Sequence, residues 1–117
     1  MDYPQNGMIA VFDWNIRKRS IKILQLKDTK ETRNYSFASL ELLESMGLKV
    51  NLDNYRVVYE FEDEIAPNAV DAELERMYMR FQGVKPEGYT GHSLSVSDIV
   101  QIDGTNYYVD DYGFQKV

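Results

Sequence analysis

Hydrophobic positions along this chain change period several times, and the changes mark its elements. Met8-Ile9-Ala10-Val11-Phe12 is an apolar run of strand type, preceded by a loose arm over Met1–Gly7 that carries Pro4, Asn6 and Gly7. Ser20 to Leu26 partly alternates and predicts a second strand, with Ile21 and Ile23 on one face and Leu24 and Leu26 on the other. The polar residues from Asp28 to Arg33 predict an exposed turn. A helical period then sets in, with Phe37, Leu40, Leu43 and Met46 on one stripe. Ser36 stands where an N-cap belongs, and Tyr35 and Leu40 have the spacing of a hydrophobic staple. Gly47 followed by Leu48 has the form of a Schellman ending, with Leu48 returning to Leu43.

After a polar link at Val50–Asn54, alternation returns from Tyr55 to Phe61. It places Tyr55, Val57, Tyr59 and Phe61 on one face of a strand, and Arg56, Val58 and Glu60 on the other. A second helix is expected after Pro67, with Asn68 as its cap and Gly83 at its end. Val70, Leu74, Met77, Tyr78 and Phe81 make its apolar stripe, which reads as core. Asp103-Gly104 lies between two β-prone runs and predicts a tight hairpin, because this pair tolerates the positive φ of a type I′ turn. That turn pairs Ile102 with Thr105, Gln101 with Asn106, Val100 with Tyr107, Ile99 with Tyr108 and Asp98 with Val109. Val100, Ile102, Tyr107 and Val109 then face the core. Asp110, Asp111 and Gly113 give a further turn before Phe114. The expectation is an α+β fold in a single domain over 1–117: a mostly antiparallel sheet of four to six strands, two helices packed on one face, and a C-terminal β-hairpin.

Composition narrows the class. At 117 residues, 44% hydrophobic and 27% charged, the chain suits one globular domain and not a disordered segment. No apolar run reaches the roughly 18 residues of a membrane helix, and no basic-then-apolar leader opens the chain, so a cytoplasmic location is expected. Without cysteine there are no disulfides, thiolate metal sites or thiol nucleophiles. A net charge of −6 argues against broad contact with nucleic acid. Arg17-Lys18-Arg19 is expected in a solvated turn between two strands. The acids from Glu60 to Glu75 suggest either a metal site or a solvated loop leading into a helix N-terminus, and the second is the commoner use of such a run.

The last thirty or so residues carry the densest chemistry, including the only histidine. The run GHSLSVSD (Gly91–Asp98), followed by YYVDDYGF (Tyr107–Phe114), resembles the C-terminal signature of YodL-like domains. LDNYRVVYE (Leu52–Glu60) and LERMYMRFQ (Leu74–Gln82) fall in that family's order, and the resemblance extends over about Lys22–Val117. It implies a small bacterial cytoplasmic module of a kind often borne on mobile elements, and it supplies no catalytic residues to carry over.

His92, Ser93, Ser95, Ser97 and Asp98 invite comparison with a Ser-His-Asp triad. Triad members come from distant segments, however, and one short run does not bring nucleophile, base and orienting acid into line. Ser and Asp side chains bonding to nearby backbone explain the run better, as an ordered loop displayed to a partner. Tyr89, Tyr108 and Tyr112 are expected to add an exposed aromatic patch. The leading expectation is a non-enzymatic protein-interaction module that binds another bacterial protein through Tyr89, His92, Ser93, Ser95, Ser97, Tyr108 and Tyr112. No catalytic residue, cofactor or metal ligand is assigned to it. One alternative is a small hydrolase or metal-dependent enzyme using His92 with Asp98 and Asp110. Another is an acidic nucleic-acid mimic that inhibits a nucleic-acid-binding protein, with the Glu60–Glu75 acids on one face.

Overall fold

The computed structural model describes residues 17–117, so the arm expected at Met1–Gly7 and the strand expected at Met8–Phe12 lie outside the described residues. Among the described residues five antiparallel strands form one sheet in the order β2-β1-β3-β4-β5. They are β1 (Arg17–Leu26), β2 (Tyr55–Ile65), β3 (Ile99–Ile102), β4 (Thr105–Val109) and β5 (Phe114–Lys116). Two helices, α1 (Leu40–Ser45) and α2 (Val70–Arg80), complete the α+β fold, with short 3-10 turns at Lys30–Tyr35, Leu52–Asn54 and Pro67–Ala69. No helix among the described residues is long and apolar enough to cross a membrane.

The hairpin follows the expected register, with Ile102 opposite Thr105 and Val100 opposite Tyr107. Asp103 at φ +47 and Gly104 at φ +85 supply the turn, and the Val109 N–H donates to Asp98 O at 2.9 Å. At the end of α1, Gly47 adopts φ +72. The Leu48 N–H then reaches Leu43 O at 2.9 Å and the Gly47 N–H reaches Glu44 O at 3.0 Å, the two bonds of a Schellman ending.

Elsewhere the chain departs from expectation. The helices do not share a face of the sheet. Leu74 and Met77 of α2, with Phe81 beyond it, pack on Ile21, Ile23, Val100, Ile102 and Val109. Leu43 of α1 and the preceding Ala38 pack on Leu24, Tyr55, Ile99 and Tyr108, the alternate residues of the same strands. The sheet is therefore buried on both sides, and each fully buried Ile or Leu contributes roughly 1.5–3 kcal/mol.

The alternation expected through Tyr55–Phe61 is broken by a bulge. Ile23 pairs with Tyr59 but Leu24 pairs with Val57, leaving Val58 as the extra residue. Val58 turns into the α2-side core with Tyr59 and Phe61, Tyr55 joins the opposite core, and Val57 is exposed. The basic cluster is also not a turn. Arg17, Lys18 and Arg19 open β1, opposite Ile65, Glu64 and Asp63 of β2. The first half of the acidic run is thus a strand beside bases, and only Asp71 and Glu73 sit in a first helical turn. Helix α1 begins at Leu40, capped by Ser39 and not Ser36, because Phe37 adopts a left-handed φ of +58 that no helix accommodates. Helix α2 follows the Pro67–Ala69 turn and has no side-chain cap, so Asn68 does not play that part.

Candidate functional site

Gln25, at the C-terminal end of β1, continues the face that carries Ile21 and Ile23, and it is buried. A buried amide must find partners. Its Nε2 donates to His92 O at 2.8 Å and to Asp98 Oδ2 at 3.0 Å, while Oε1 accepts the His92 N–H at 3.1 Å. One β1 side chain thereby holds both ends of the loop that runs from Gly91 to Asp98. Gly91 permits the approach: a Cβ there would sit 2.1 Å from Gln25 Oε1 and 2.9 Å from Val58 Cγ1.

Asp98 is only 2% exposed. Its Oδ2 accepts the Ser95 N–H at 2.8 Å as well as the Gln25 amide, and no donor among the described residues reaches Oδ1. Burial pushes its carboxyl up from 3.8 to about 7, held back by the Ser95 N–H, by His92 and by Gln25. Burial likewise raises the Tyr55 and Tyr108 hydroxyls far above the usual phenol range and Tyr89 to about 12, with Asp98 adding to all three.

Ser97 is buried at φ +86, a left-handed backbone for a residue with a Cβ. Three bonds hold it there. Its N–H donates to Val109 O at 2.9 Å, its carbonyl accepts the Tyr55 hydroxyl at 2.6 Å, and its Oγ accepts the Phe37 N–H at 3.0 Å. Phe37 is itself left-handed and yet 66% exposed. Its ring lies 6.1 Å from that of His92. His92 Nδ1 is 2.7 Å from Ser93 O, which assigns the proton to Nδ1 and leaves Nε2 without a bond within the loop. Gln25 Nε2 at 3.3 Å from the same nitrogen is then a contact between two donors, not a hydrogen bond.

These residues surround a cavity of about 270 Å³. Apart from Tyr55 and Tyr108, the buried polar side chains of the described residues are Gln25, Thr32, Ser97 and Asp98, and all four line it. Exposed Lys27, Asp28, Arg33, Phe37, Arg56 and His92 form most of the rest of the wall. A larger groove of about 780 Å³ runs beside α1 past Leu40, Leu43, Leu48 and Val50. Its charged members Glu41, Glu44 and Lys49 are all exposed, so nothing polar converges there.

The remaining expected site residues divide. Ser93 Oγ accepts from Lys85 Nζ at 2.6 Å, Ser95 Oγ donates to Ser93 O at 2.8 Å, and the Tyr89 hydroxyl donates to His92 O at 2.7 Å. Tyr108 corrects the expectation of an exposed patch: it is wholly buried, and its hydroxyl donates to Ala38 O at 2.6 Å. Ser97, being buried, is likewise no part of an outer surface. Tyr112 is exposed but lines a separate depression with Asp71 and Glu75. Asp110 also stands apart, because its Oδ1 accepts the N–H groups of Leu40 at 3.1 Å and Asp111 at 3.0 Å. His92, Asp98 and Asp110 do not converge, and among the described residues no cluster of His, Asp or Glu could hold a metal. The metal-dependent alternative built on these three residues therefore falls.

Gln25, Thr32 and Phe37 were not among the expected site residues, Phe37 being expected instead on the apolar stripe of a helix. Gln25 had a signal, a polar residue continuing an apolar face after Ile21 and Ile23. Thr32 and Phe37 had none, since both are placed by partners that only the fold brings near.

The family model of the YodL-like domain matches residues 20–117, which takes in most of β1, both helices, the Gly91–Asp98 loop and the hairpin. The chain belongs to the YodL-like domain family. No curated protein and no solved structure matches it. In this YodL-like domain the GHSLSVSD run is the loop that Gln25 and Asp98 hold shut. YYVDDYGF supplies the second half of β4, the Asp110 contact to α1 and the start of β5.

Proposed function

We propose that this YodL-like domain is a non-enzymatic protein-interaction module of the bacterial cytoplasm, and that Phe37 and His92 form the centre of its contact surface. Phe37 carries the proposal. A non-glycine residue held left-handed costs on the order of 1–3 kcal/mol, and such strain concentrates at binding sites. Here the strain presents a large aromatic ring to solvent. Of the three non-glycine residues with positive φ among the described residues, Asp103 is explained by its hairpin turn, while Phe37 and Ser97 are bonded to each other across the cavity wall. Aromatic side chains are favoured anchors of protein contacts. Arg33 and Arg56 on the same wall suit a partner whose contact patch combines apolar and acidic groups.

The test is affinity capture from a bacterial lysate with the wild-type domain, Phe37→Ala and His92→Ala, each checked for folding by circular dichroism. Loss of the same specific protein from both variants is the expected result. An unchanged set of captured proteins removes this surface from consideration.

A further inference from the structure

We infer that the cavity behind Phe37 is a binding site for a small organic or inorganic anion that carries its own hydrogen-bond donor, such as an amino acid, a hydroxy acid or hydrogen phosphate. The inference stands apart from the protein contact proposed above. It rests on the cavity's floor and wall. Apart from the Tyr55 and Tyr108 hydroxyls, which are satisfied locally by backbone carbonyls, the buried polar side chains among the described residues all border this one space. Asp98 forms the floor. Both of its internal donors go to Oδ2, so Oδ1 is the acceptor left for an occupant. An occupant must therefore bring an N–H or O–H to that point.

The wall asks for the opposite charge. Arg33, Arg56 and Lys27 border the same space against one exposed acid, Asp28, besides Asp98 itself, and Arg33 takes part in none of the ion pairs among the described residues. Arg56 donates to Thr90 O at 3.2 Å, which fixes its guanidinium at the edge of the cavity. A plain cation would meet two guanidinium groups, and a plain anion would meet the Asp98 carboxyl. A molecule bearing an anion at one end and a donor at the other satisfies both. Size agrees. At about 30 Å³ per water in the liquid, 270 Å³ holds the equivalent of roughly nine waters, room for a molecule of that many non-hydrogen atoms.

The experiment is a nuclear magnetic resonance titration of the ¹⁵N-labelled chain at about pH 8, where the Asp98 carboxyl is ionised and Oδ1 can only accept, following the Gln25 side-chain amide and the backbone amides of Ser95 and Asp98. Five probes are used singly: L-threonine, lactate, phosphate, acetate and propylamine. Saturable shifts confined to these groups are expected from at least one of the first three, and the pattern among them tells an amino acid from a hydroxy acid or a phosphate. Acetate lacks the donor and propylamine lacks the anion, so neither should saturate. Arg33→Ala should weaken the binding probe about tenfold or more, as expected for a lost hydrogen bond to a charged group. Asp98→Asn keeps the shape but can turn an N–H₂ toward the cavity, so it should lose the donor-bearing probe and bind acetate at least as well as the wild type does. Failure of all three donor-bearing anions to saturate overturns the inference. So does acetate matching them on the wild type, or Asp98→Asn binding them unchanged while its spectrum shows an intact fold.

Discussion

Gln25 and Asp98 give the sharpest consequences at the scale of single residues. Gln25→Leu would fill the same space but strand the His92 N–H, and it would take a donor from Asp98 Oδ2 and from His92 O, which keeps the Tyr89 hydroxyl. It should cost about 2–3 kcal/mol in urea denaturation, the penalty of leaving buried polar groups unpaired. Gln101→Leu, which loses only the side-chain bond to Asn106 on the half-buried β3–β4 surface, should cost less. Asp98 makes stability depend on pH in an unusual sense. Its folded carboxyl titrates at about 7 against 3.8 as the reference, so the folded chain holds a proton that the unfolded chain has released. The contribution of Asp98 to stability should be largest below about pH 4, fall as pH rises through the interval, and level off above about pH 7. Thermal unfolding between pH 4 and 8 should show that fall, and Asp98→Asn should flatten it by a few kcal/mol. The sequence flagged Asp98 and His92 as polar groups worth attention. It did not show that their common partner is Gln25, because that contact spans 67 residues to His92 and 73 to Asp98.

Among the elements, those governed by neighbouring residues were legible and those governed by distant ones were not. The hairpin register, the Schellman end at Gly47 and the apolar stripe of α2 follow from local spacing, and the structure has all three. The start of α1 was misplaced because Ser36 and Ser39 are both competent caps. The choice is made by Ser97 Oγ, 60 residues away, which takes the Phe37 N–H and draws that residue out of helical φ. The phase of β2 was lost for a similar reason, since nothing within YRVVYEF announces that Val58 is bulged against β1. Strain at Phe37 is measurable. Phe37→Gly should be more stable than Phe37→Ala by about 1 kcal/mol, the reverse of the usual order, because only glycine enters left-handed φ freely. The comparison is a pair of urea midpoints, and equal midpoints would mean that residue 37 carries no strain.

At the scale of the molecule, a sheet covered on both sides explains why Ile23-Leu24, Ile99-Val100 and Tyr107-Tyr108 are adjacent apolar pairs in strands that would otherwise alternate. Those pairs were visible in the sequence, but the hairpin was read as having one core side, and Tyr108 was assigned to solvent for that reason. The strand β2, outermost among the described residues, is guarded by Glu60, Glu62 and Glu64, which alternate with bases across from them, Lys22 opposite Glu60 and Lys18 opposite Glu64. That interleaving breaks up the continuous acidic face a nucleic-acid mimic needs, and it also discourages edge-to-edge pairing between copies. Replacing all three glutamates with threonine should shift the protein toward dimers or larger species in sedimentation velocity. An unchanged monomer fraction would show that another feature protects the edge. The cavity wall has a consequence of a different order. Its floor is assembled from Gln25 on one side of α2 and Asp98 on the other, so a cut in the exposed Gly83–Gly88 segment would leave two fragments, neither of which contains the site. If the fragments associate, the Gln25–Asp98 contact reforms only when both halves have found each other. The domain would then serve as a split reporter whose signal is the cavity itself.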